Sequence, residues 1–597
     1  MRVTGLAIVM CGLLLGAGCS SGDATAPPIG VPPDPASGTG PVAPLPVAAT
    51  VERVRIYREV TEEWGLDFRH DSGATGDKHM VESMGSGGCL FDADGDGDLD
   101  IYLVQSGRLP VTAGDDARNR LYLNEGGKLR DGSRESGADD PGYGQGAIAA
   151  DVEGDGDMDI FVANWGPDVL LINDGSGHFT AKVDSGVAGP DDAWSTSSAF
   201  FDADLDGDLD LFVACYVTYD FENDPFCGIS GSKLRAYCSP NVFAGAGDHL
   251  YENLGGAQFR EVTQEAGITR TDGKSLGVAA FDADGDGDTD IFVADDRSPN
   301  LYYNNVSERG GPIRYLEDGA VGGLAFDLHG SSLSCMGISI GDVDGDDCDE
   351  VFVTNFSREV NTLYSRAGTP WYEDITTASG LGPASMNYVG WGTAMTDVDH
   401  DGDLDILVAN GHVEPDIALI DASLTHKQPT HLYLGDGTGR FRIVDEPALA
   451  SPWSSRGVYT GDLDRDGRLD LVLTSNNSTA RVFLAIPADQ PRQDWLVLEL
   501  EQPGPNRGGV GARVTATLAD GRRISRSVSR GDSILGASAP ELHFGVGDSE
   551  VITLEIRWPD GELSRHEGIE TGRRIVVQRE PAIEDSGESR FVVRDRP

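Results

Sequence analysis

Basic residues are scarce in this chain: 45 Lys and Arg stand against 99 Asp and Glu in 597 residues, a formal charge of −54. A surface so short of cations repels a phosphate backbone, which excludes nucleic acid as a partner. Apolar runs of membrane-spanning length are also missing. The longest candidate, LAIVMCGLLLGAG after Arg2, is too short for a stable transmembrane helix. Signatures of hydrolytic and nucleotide chemistry are absent: there is no H-E-x-x-H, no P-loop and no G-x-S-x-G. The eight cysteines lack the spacing of a sulfur-ligated metal site.

Aspartate, by contrast, is abundant and falls in register. A nonapeptide D-x-D-x-D-G-x-x-D begins at Asp92, Asp151, Asp202, Asp282, Asp342, Asp397 and Asp462, at intervals of 59, 51, 80, 60, 55 and 65 residues. Periods of this size signify an array of similar units. The spacing suits a hard cation, because Ca²⁺ takes six to eight oxygens and a tight loop delivers carboxylates from positions one, three, five and nine and a backbone carbonyl from seven. In the first copy these positions are Asp92, Asp94, Asp96, Asp98 and Asp100, with Gly97 at the turn. The second offers Asp151, Glu153, Asp155, Asp157 and Asp159, and the third Asp202, Asp204, Asp206, Asp208 and Asp210. The fourth has Asp282, Asp284, Asp286, Asp288 and Asp290, and the sixth Asp397, Asp399, Asp401, Asp403 and Asp405. In the seventh, Arg468 sits at the backbone-only position among Asp462, Asp464, Asp466 and Asp470. The fifth departs most: Asp342, Asp344 and Asp346 are followed by Asp347 in place of the turn glycine and by Glu350 at position nine. It is expected to bind least well; the others bring the expected number of Ca²⁺ to several, up to seven. Two carboxylates ~4 Å apart repel by about 4 kcal/mol at an effective dielectric of ~20, so the loops need their cations.

A helical EF-hand requires a Glu at position twelve and flanking helices. The segments after these loops instead read DIYLV, DIFVA, DLFVA, DIFVA, DILVA and DLVLT, whose β-branched and aromatic content argues for strands. Before each loop lies a small, Gly-rich apolar strand such as GGCLFD, GAIAAD or GVAAFD, narrow enough for the centre of a ring. A third strand follows as LYLN, LLIN, LYEN, LYYN or LYLG, then a turn such as NDGSG, then a fourth strand such as FREVTQEAGI from Phe259. Four strands per unit in seven units predict an all-β fold, a seven-bladed β-propeller over 51–487. The outermost-strand motif occurs before the first loop, as YREVTEEWGL from Tyr57, and is missing after the last. In a ring, that strand completes the seventh blade and removes the open edge.

These residues resemble the FG-GAP/VCBS-type propeller repeats, the match resting on loop, following strand and the LYxN…FxDVT…AGL pattern. Residues 490–580 resemble an ASPIC/UnbV domain, with WLVLEL from Trp495, NRGGVGARV from Asn506, GDSILGASAPELHFGVGD from Gly531 and RWPDGE from Arg557. The pair is similar to the bacterial cartilage-acidic-protein-like family. The second domain, a small β domain followed by a tail at 581–597, is expected to pack beside the propeller near blades one and seven, with the NRGGVGA loop facing that junction. Cys227 and Cys238 lie in CGISGSKLRAYCSP, which resembles a Cys-containing insertion of this family and implies a local disulfide. Residues 1–19 read as a signal peptide of lipoprotein type, since GAGCSS is similar to a lipobox with Cys19 as the lipidated residue. Residues 20–50, rich in Pro, Gly and Ala, read as an unfolded tether.

With Cys11 lost and Cys19 lipidated, six cysteines remain in an oxidising compartment; sequence does not pair Cys89, Cys215, Cys335 and Cys348, for which buried free thiols are the default. His70, His79 and Glu82, ahead of the first blade, read as structural, and Trp194, Trp391 and Trp453 as packing residues near one end of the channel. Two functions from different classes fit. One is an exported, calcium-stabilised binding or adhesion protein displayed at the cell envelope or secreted, with a protein or glycan partner. The other is an enzyme at the propeller axis, polysaccharide-lyase-like or of secondary metabolism. Fold alone does not choose; a convergent cluster of Lys, Arg, His or Tyr at the channel mouth favours the second.

Overall fold

A computed structural model describes residues 51–109, 117–222, 224–228, 234–366, 368–487, 494–531, 533–581 and 589–596. The expected leader with Cys19 and the tether 20–50 lie outside the described residues. Among the described residues, seven four-stranded antiparallel units come in succession, the last of them borrowing its outer strand from the N-terminal side, and two further four-stranded sheets come after them. The first unit runs Gly88–Phe91, Asp100–Leu103, Arg120–Asn124 and Leu129–Asp131. Its inner strand touches the inner strand of the next unit, Tyr143–Ala150, and so on round to Ser455–Gly461, which touches Gly88–Phe91 again. The ring is closed.

Burial explains which sequence forms which strand. Strands next to the axis and second strands such as Asp100–Leu103 or Asp159–Trp165 are covered on both faces by neighbouring blades, so they read as continuous apolar runs. Outermost strands such as Leu129–Asp131, Phe259–Glu261 and Tyr315–Glu317 bury only their first residue and show the others to water. At the axis, crowding selects glycine. A Cβ at Gly146, Gly277 or Gly337 would lie 2.4, 2.3 or 2.1 Å from the carbonyl oxygen of Thr196, Met336 or Trp391 on the next inner strand. Several of these glycines sit at register shifts in their own strands, where an extra residue bends the chain around the ring.

The N-terminal segment closes the circle. Tyr57–Glu59 pairs antiparallel with Arg481–Ala485, setting Tyr57 opposite Ala485, and becomes the outer strand of blade seven. Just before it, Glu52 and Arg53 pair in parallel with Val444 and Asp445 of blade six. One short segment therefore straps two blades.

The C-terminal domain is a sandwich of two sheets. One holds Asp494–Glu501, Leu542–Gly547, Arg573–Glu580 and Arg590–Asp595, the other Arg513–Thr517, Arg523–Ser527, Val551–Arg557 and Leu563–Glu570. The segment expected as a tail, 581–597, thus contributes a strand: Ile575 lies opposite Asp595. Phe591 on that strand stacks on Trp558 at 5.8 Å, and this apolar contact holds the end of the chain on the sheet.

The axis is a packed core. From the C-terminal domain, Ile534 and Leu535 enter it fully buried, and Gly536–Ala537 pairs in parallel with both Gly88–Cys89 and Ala147, joining blades one and two into one nine-stranded sheet. From the other side Met80, Val81 and Met84 meet them, together with Trp194, Met336 and Trp391. Trp194 and Trp391 pack there, as expected.

Deleting residues 51–66 should expose the edges of blades six and seven and lower the melting temperature of the whole ring, with one cooperative transition; a truncated protein that melts like its parent in calorimetry contradicts the closure. Leu535→Ala should cost about 2–5 kcal/mol in denaturant unfolding, as for other large-to-small core changes.

Candidate metal centres and channel ends

All seven acidic loops have one backbone form. Position six is left-handed throughout, with φ of 91° at Gly97, 108° at Gly156, 103° at Gly207, 101° at Gly287, 69° at Asp347, 96° at Gly402 and 87° at Gly467. Asp347 therefore makes the turn that glycine makes elsewhere. Position four is left-handed as well, at Gly95, Gly154, Gly285 and Gly345, and also at Leu205, His400 and Arg465 with φ of 60°, 62° and 59°. The sequence reading missed this second turn; its signal was the recurrence of glycine at position four.

The first aspartate organises the loop by accepting from its backbone: Asp92 takes Gly95 N–H at 2.8 Å and Gly97 N–H at 3.0 Å. The ninth residue is a bracket. Asp100, Asp159, Asp210, Asp290, Asp405 and Asp470 each accept one N–H from position two of their own loop and one from the end of the third strand, all at 2.7–3.1 Å. Glu350 makes the same bond to Val343 N–H at 2.9 Å. The longer side chain reaches the same place.

A further device was hidden in LYxN. The asparagine amide donates to the position-two carbonyl of the preceding blade's loop: Asn124 to Leu463, Asn173 to Ala93, Asn253 to Val152 and Asn305 to Ala203, at 2.9–3.1 Å. Blade five ends its third strand with Ser365 and uses Tyr372 Oη on Ala283 O instead, at 3.2 Å. Loops seven, one, two, three and four are thus each stitched to the following blade.

The donor sets fit a hard cation. Carboxylate oxygens of Asp92, Asp94 and Asp96 lie within 4.8 Å of one another, as do those of Asp202, Asp204 and Asp206 and those of Asp282, Asp284 and Asp286. In loops five and six the groups are Asp342, Asp344, Glu350 and Asp397, Asp399, Asp405. Loop five thus gathers oxygens from positions one, three and nine, as loop six does. Buried carboxylate oxygens on Asp94, Asp208, Asp288, Asp344, Glu350, Asp397, Asp399 and Asp462 have no hydrogen-bond partner, a cost that bound metal removes. Burial pushes Asp100, Asp159, Glu350 and Asp397 up to about 8, and Asp202, Asp290 and Asp462 to about 7. Loop seven is part-neutralised by cations of the chain, since Arg468 sits on Asp466 and Arg574 binds Asp462 at 2.6 Å.

The C-terminal domain covers this face. Arg596 lies 3.5 Å from Asp92, Arg507 donates to Asp155 O at 2.9 Å, and Asn506 N–H donates to Gly207 O at 2.8 Å. Arg557 pairs with Asp282 at 2.6 Å, Arg513 with Asp349 at 2.7 Å, and Arg522 donates to Asp401 O at 3.0 Å. With Arg574 on loop seven, every loop is touched. The expected placement beside blades one and seven is therefore corrected: the NRGGVGA loop meets loops two and three. A domain carrying these arginines is drawn to the whole acidic face, and its buried arm enters the channel from there.

At the opposite end, residues that sequence reading took as structural divide. His70 is buried and holds Ser106 Oγ at 3.0 Å and Asn477 N at 3.2 Å, a structural role. His79 Nδ1 lies 2.7 Å from Asp224 and 3.2 Å from Tyr219 Oη, while Arg235 also pairs with Asp224. Glu82 is buried, accepts from Tyr237 Oη at 3.0 Å through one oxygen, and leaves the other unpartnered. Burial raises its pKa. Tyr219, Asp224, Arg235 and Tyr237 come from one insertion, which the Cys227–Cys238 disulfide closes with Cα atoms 5.2 Å apart. Cys89, Cys215, Cys335 and Cys348 carry no disulfide. Trp453 stacks with Arg481 at 4.6 Å. Among the described residues no helix is long and apolar enough to cross a membrane.

Compared with known proteins, residues 92–162, 151–213, 240–293, 282–353 and 410–473 match the FG-GAP-like repeat, and residues 502–584 match the ASPIC and UnbV domain. The chain is similar to cartilage acidic protein 1 of Xenopus tropicalis, 25% identical over 478 residues that span 70% of each chain. It is similar to the Homo sapiens protein of that name at 24% over 543 residues, 76% of this chain and 74% of the other. Among solved structures it resembles an Agrocybe aegerita lectin that recognises non-reducing terminal N-acetylglucosamine, at 14% identity and a TM-score of 0.36, covering 66% of this chain and 86% of the lectin.

Raised carboxylate pKa values fix the sign of a pH effect in metal-free protein. The fold keeps protons on these groups up to pH 7–8, whereas the unfolded chain releases them near 4, so stability without metal falls as pH rises through that window. A bound cation would offset the loss. The drop in melting temperature caused by chelator should therefore be larger at pH 8 than at pH 5; equal drops, or none, in differential scanning fluorimetry contradict the metal reading.

Proposed function

This chain belongs to the family of FG-GAP-like repeat proteins that carry a C-terminal ASPIC/UnbV domain, and on that premise we propose that it is an exported, calcium-stabilised binding or adhesion protein. It is held at the cell envelope through lipid on Cys19, and its ligand is a protein or a glycan. The observation that carries this reading is the way both ends of the axis are used. One end is filled by Ile534 and Leu535 beneath a domain that spans all seven loops; the other is roofed by a disulfide-closed insertion that exposes Phe226, Leu234 and Val242. A rigid ring with an apolar, loop-built face suits recognition. Calcium in the loops would neutralise the acidic face and fix the blades that carry that insertion. The disulfide agrees with an oxidising compartment.

A second reading, an enzyme at the axis, is favoured by the convergence of His79 on Asp224 and Tyr219 beside Glu82 and Tyr237. An imidazole oriented by a carboxylate, next to a buried carboxyl of raised pKa, has the parts of general acid–base chemistry.

One experiment separates the two. Purified residues 51–597 are screened against glycans and envelope proteins with calcium and with chelator. Retention in calcium and loss in chelator, with the ligand recovered intact, is the expected result. Cleavage of a retained glycan that disappears in His79→Ala and Glu82→Gln selects the enzyme instead. No ligand from either class sinks the binding reading.

A further inference from the structure

In a chain with fewer than half as many cations as carboxylates, one groove inverts the balance. It has a volume of about 540 Å³ and lies between acidic loops four and five and the sheet Arg513–Thr517, Val551–Arg557, Leu563–Glu570 of the C-terminal domain. That volume falls within the roughly 300–1,000 Å³ of ligand clefts. Five arginines line it, Arg366, Arg513, Arg523, Arg557 and Arg565, against four carboxylates.

The five are not equivalent. Arg513 and Arg557 form the floor, bound to Asp349 at 2.7 Å and Asp282 at 2.6 Å. Arg523 and Arg565 stand at the rim, their side chains 50% and 57% exposed, in ion pairs with Asp347 and Glu555. Pairs so exposed hold weakly and exchange readily for a better partner. Arg366, half-buried, has Cys348 Sγ at 3.9 Å as its contact, and among the described residues no carboxylate lies within ion-pair distance of it. A guanidinium without a carboxylate, beside two that exchange, is an arrangement for binding a planar or tetrahedral anion through paired N–H donors. Thr515 lies in the wall with its hydroxyl hydrogen-bonded to Ser525 Oγ at 2.9 Å, and Leu563 adds an exposed apolar edge on which a ring can rest.

We propose that this groove binds an acidic saccharide, with Arg366, Arg523 and Arg565 taking its carboxylate or sulfate groups and the side chains of Thr515 and Leu563 meeting the sugar. The assignment rests on the reading of the chain as a binding protein. It explains why the C-terminal domain places here an arginine that touches no acidic loop: Arg565 faces Glu555 and Glu567 of its own domain. Such binding is charge-driven and weakens as salt rises.

The test is calorimetric titration of residues 51–597 in calcium buffer with oligogalacturonate, a sulfated oligosaccharide, a neutral oligosaccharide and inorganic sulfate. Binding of one or both acidic saccharides, weakened by salt, is expected. The triple change Arg366→Ala, Arg523→Ala, Arg565→Ala should weaken it by roughly tenfold or more, the size of one lost charge-assisted hydrogen bond. Because these side chains are exposed or half-buried, the melting temperature should hold, and the triple Arg→Lys variant should recover part of the affinity. The groove is overturned if neither acidic saccharide binds, if the triple Ala variant binds like the parent, or if inorganic sulfate binds as tightly as the saccharides. A protein or neutral glycan found in the wider screen with no acidic saccharide would leave the binding reading standing and remove this assignment alone.

Discussion

Repulsion among carboxylates is the constraint on which the rest of this molecule depends. Each blade gathers several acidic side chains into a nine-residue loop, and six of the seven loops hold a carboxylate oxygen that is buried and unpartnered. Like charges at such spacing cannot be ionised together without compensation. The fold supplies it at three ranges: backbone N–H groups within the loop, arginines from another domain, and a donor set shaped for a hard cation. Position nine shows the division of labour. Its carboxylate is committed to two backbone donors that tie loop to third strand, which leaves positions one, three and five as the most available ligands in loops one, three and four.

Architecture follows from that arrangement. Because all seven loops open on one side of the ring, their charge forms a single face, and the C-terminal domain answers it with arginines on both of its sheets and just after its last strand. Once docked, the domain sends Ile534 and Leu535 down the axis, where burial adds an apolar contribution of roughly 1.5–3 kcal/mol per side chain. Electrostatics chooses the face and packing fixes the position. Glycines of the inner strands belong to the same logic, since carbonyls of the next strand stand where a Cβ would be.

Opposite the acidic loops the chemistry changes. Two segments far apart in sequence, 72–82 and the disulfide-closed insertion, bring His79, Glu82, Asp224 and Tyr237 together. Arg456 anchors the first of them: wholly buried, it donates to Ser83 O at 2.7 Å and to Met84 O at 2.5 Å and stacks on Trp391 at 4.1 Å. An uncapped buried cation held by carbonyl oxygens is costly unless its geometry is fully satisfied, and here five backbone carbonyls accept from it.

Much of this was legible in the order of residues, because repetition converts a weak local pattern into a strong one. The acidic nonapeptide marked each inner turn, the apolar runs after it marked strands buried on both faces, and the displaced YREVTEEWGL implied that the ring closes on itself. The small domain was legible from its motifs. Sequence could not place that domain, since the arginines that dock it are scattered singly between Asn506 and Arg596 and acquire meaning only when the loops they meet are gathered on one face. Nor could it show that Asp347 makes a glycine's turn, that the asparagine of LYxN bonds to the preceding blade, or that His79 and Asp224, 145 residues apart, touch. Local turns and strand periods depend on neighbours in the chain, and these the sequence determined; charge pairing across the ring and convergence at its axis depend on distances that exist only after closure, and these the tertiary structure alone decided.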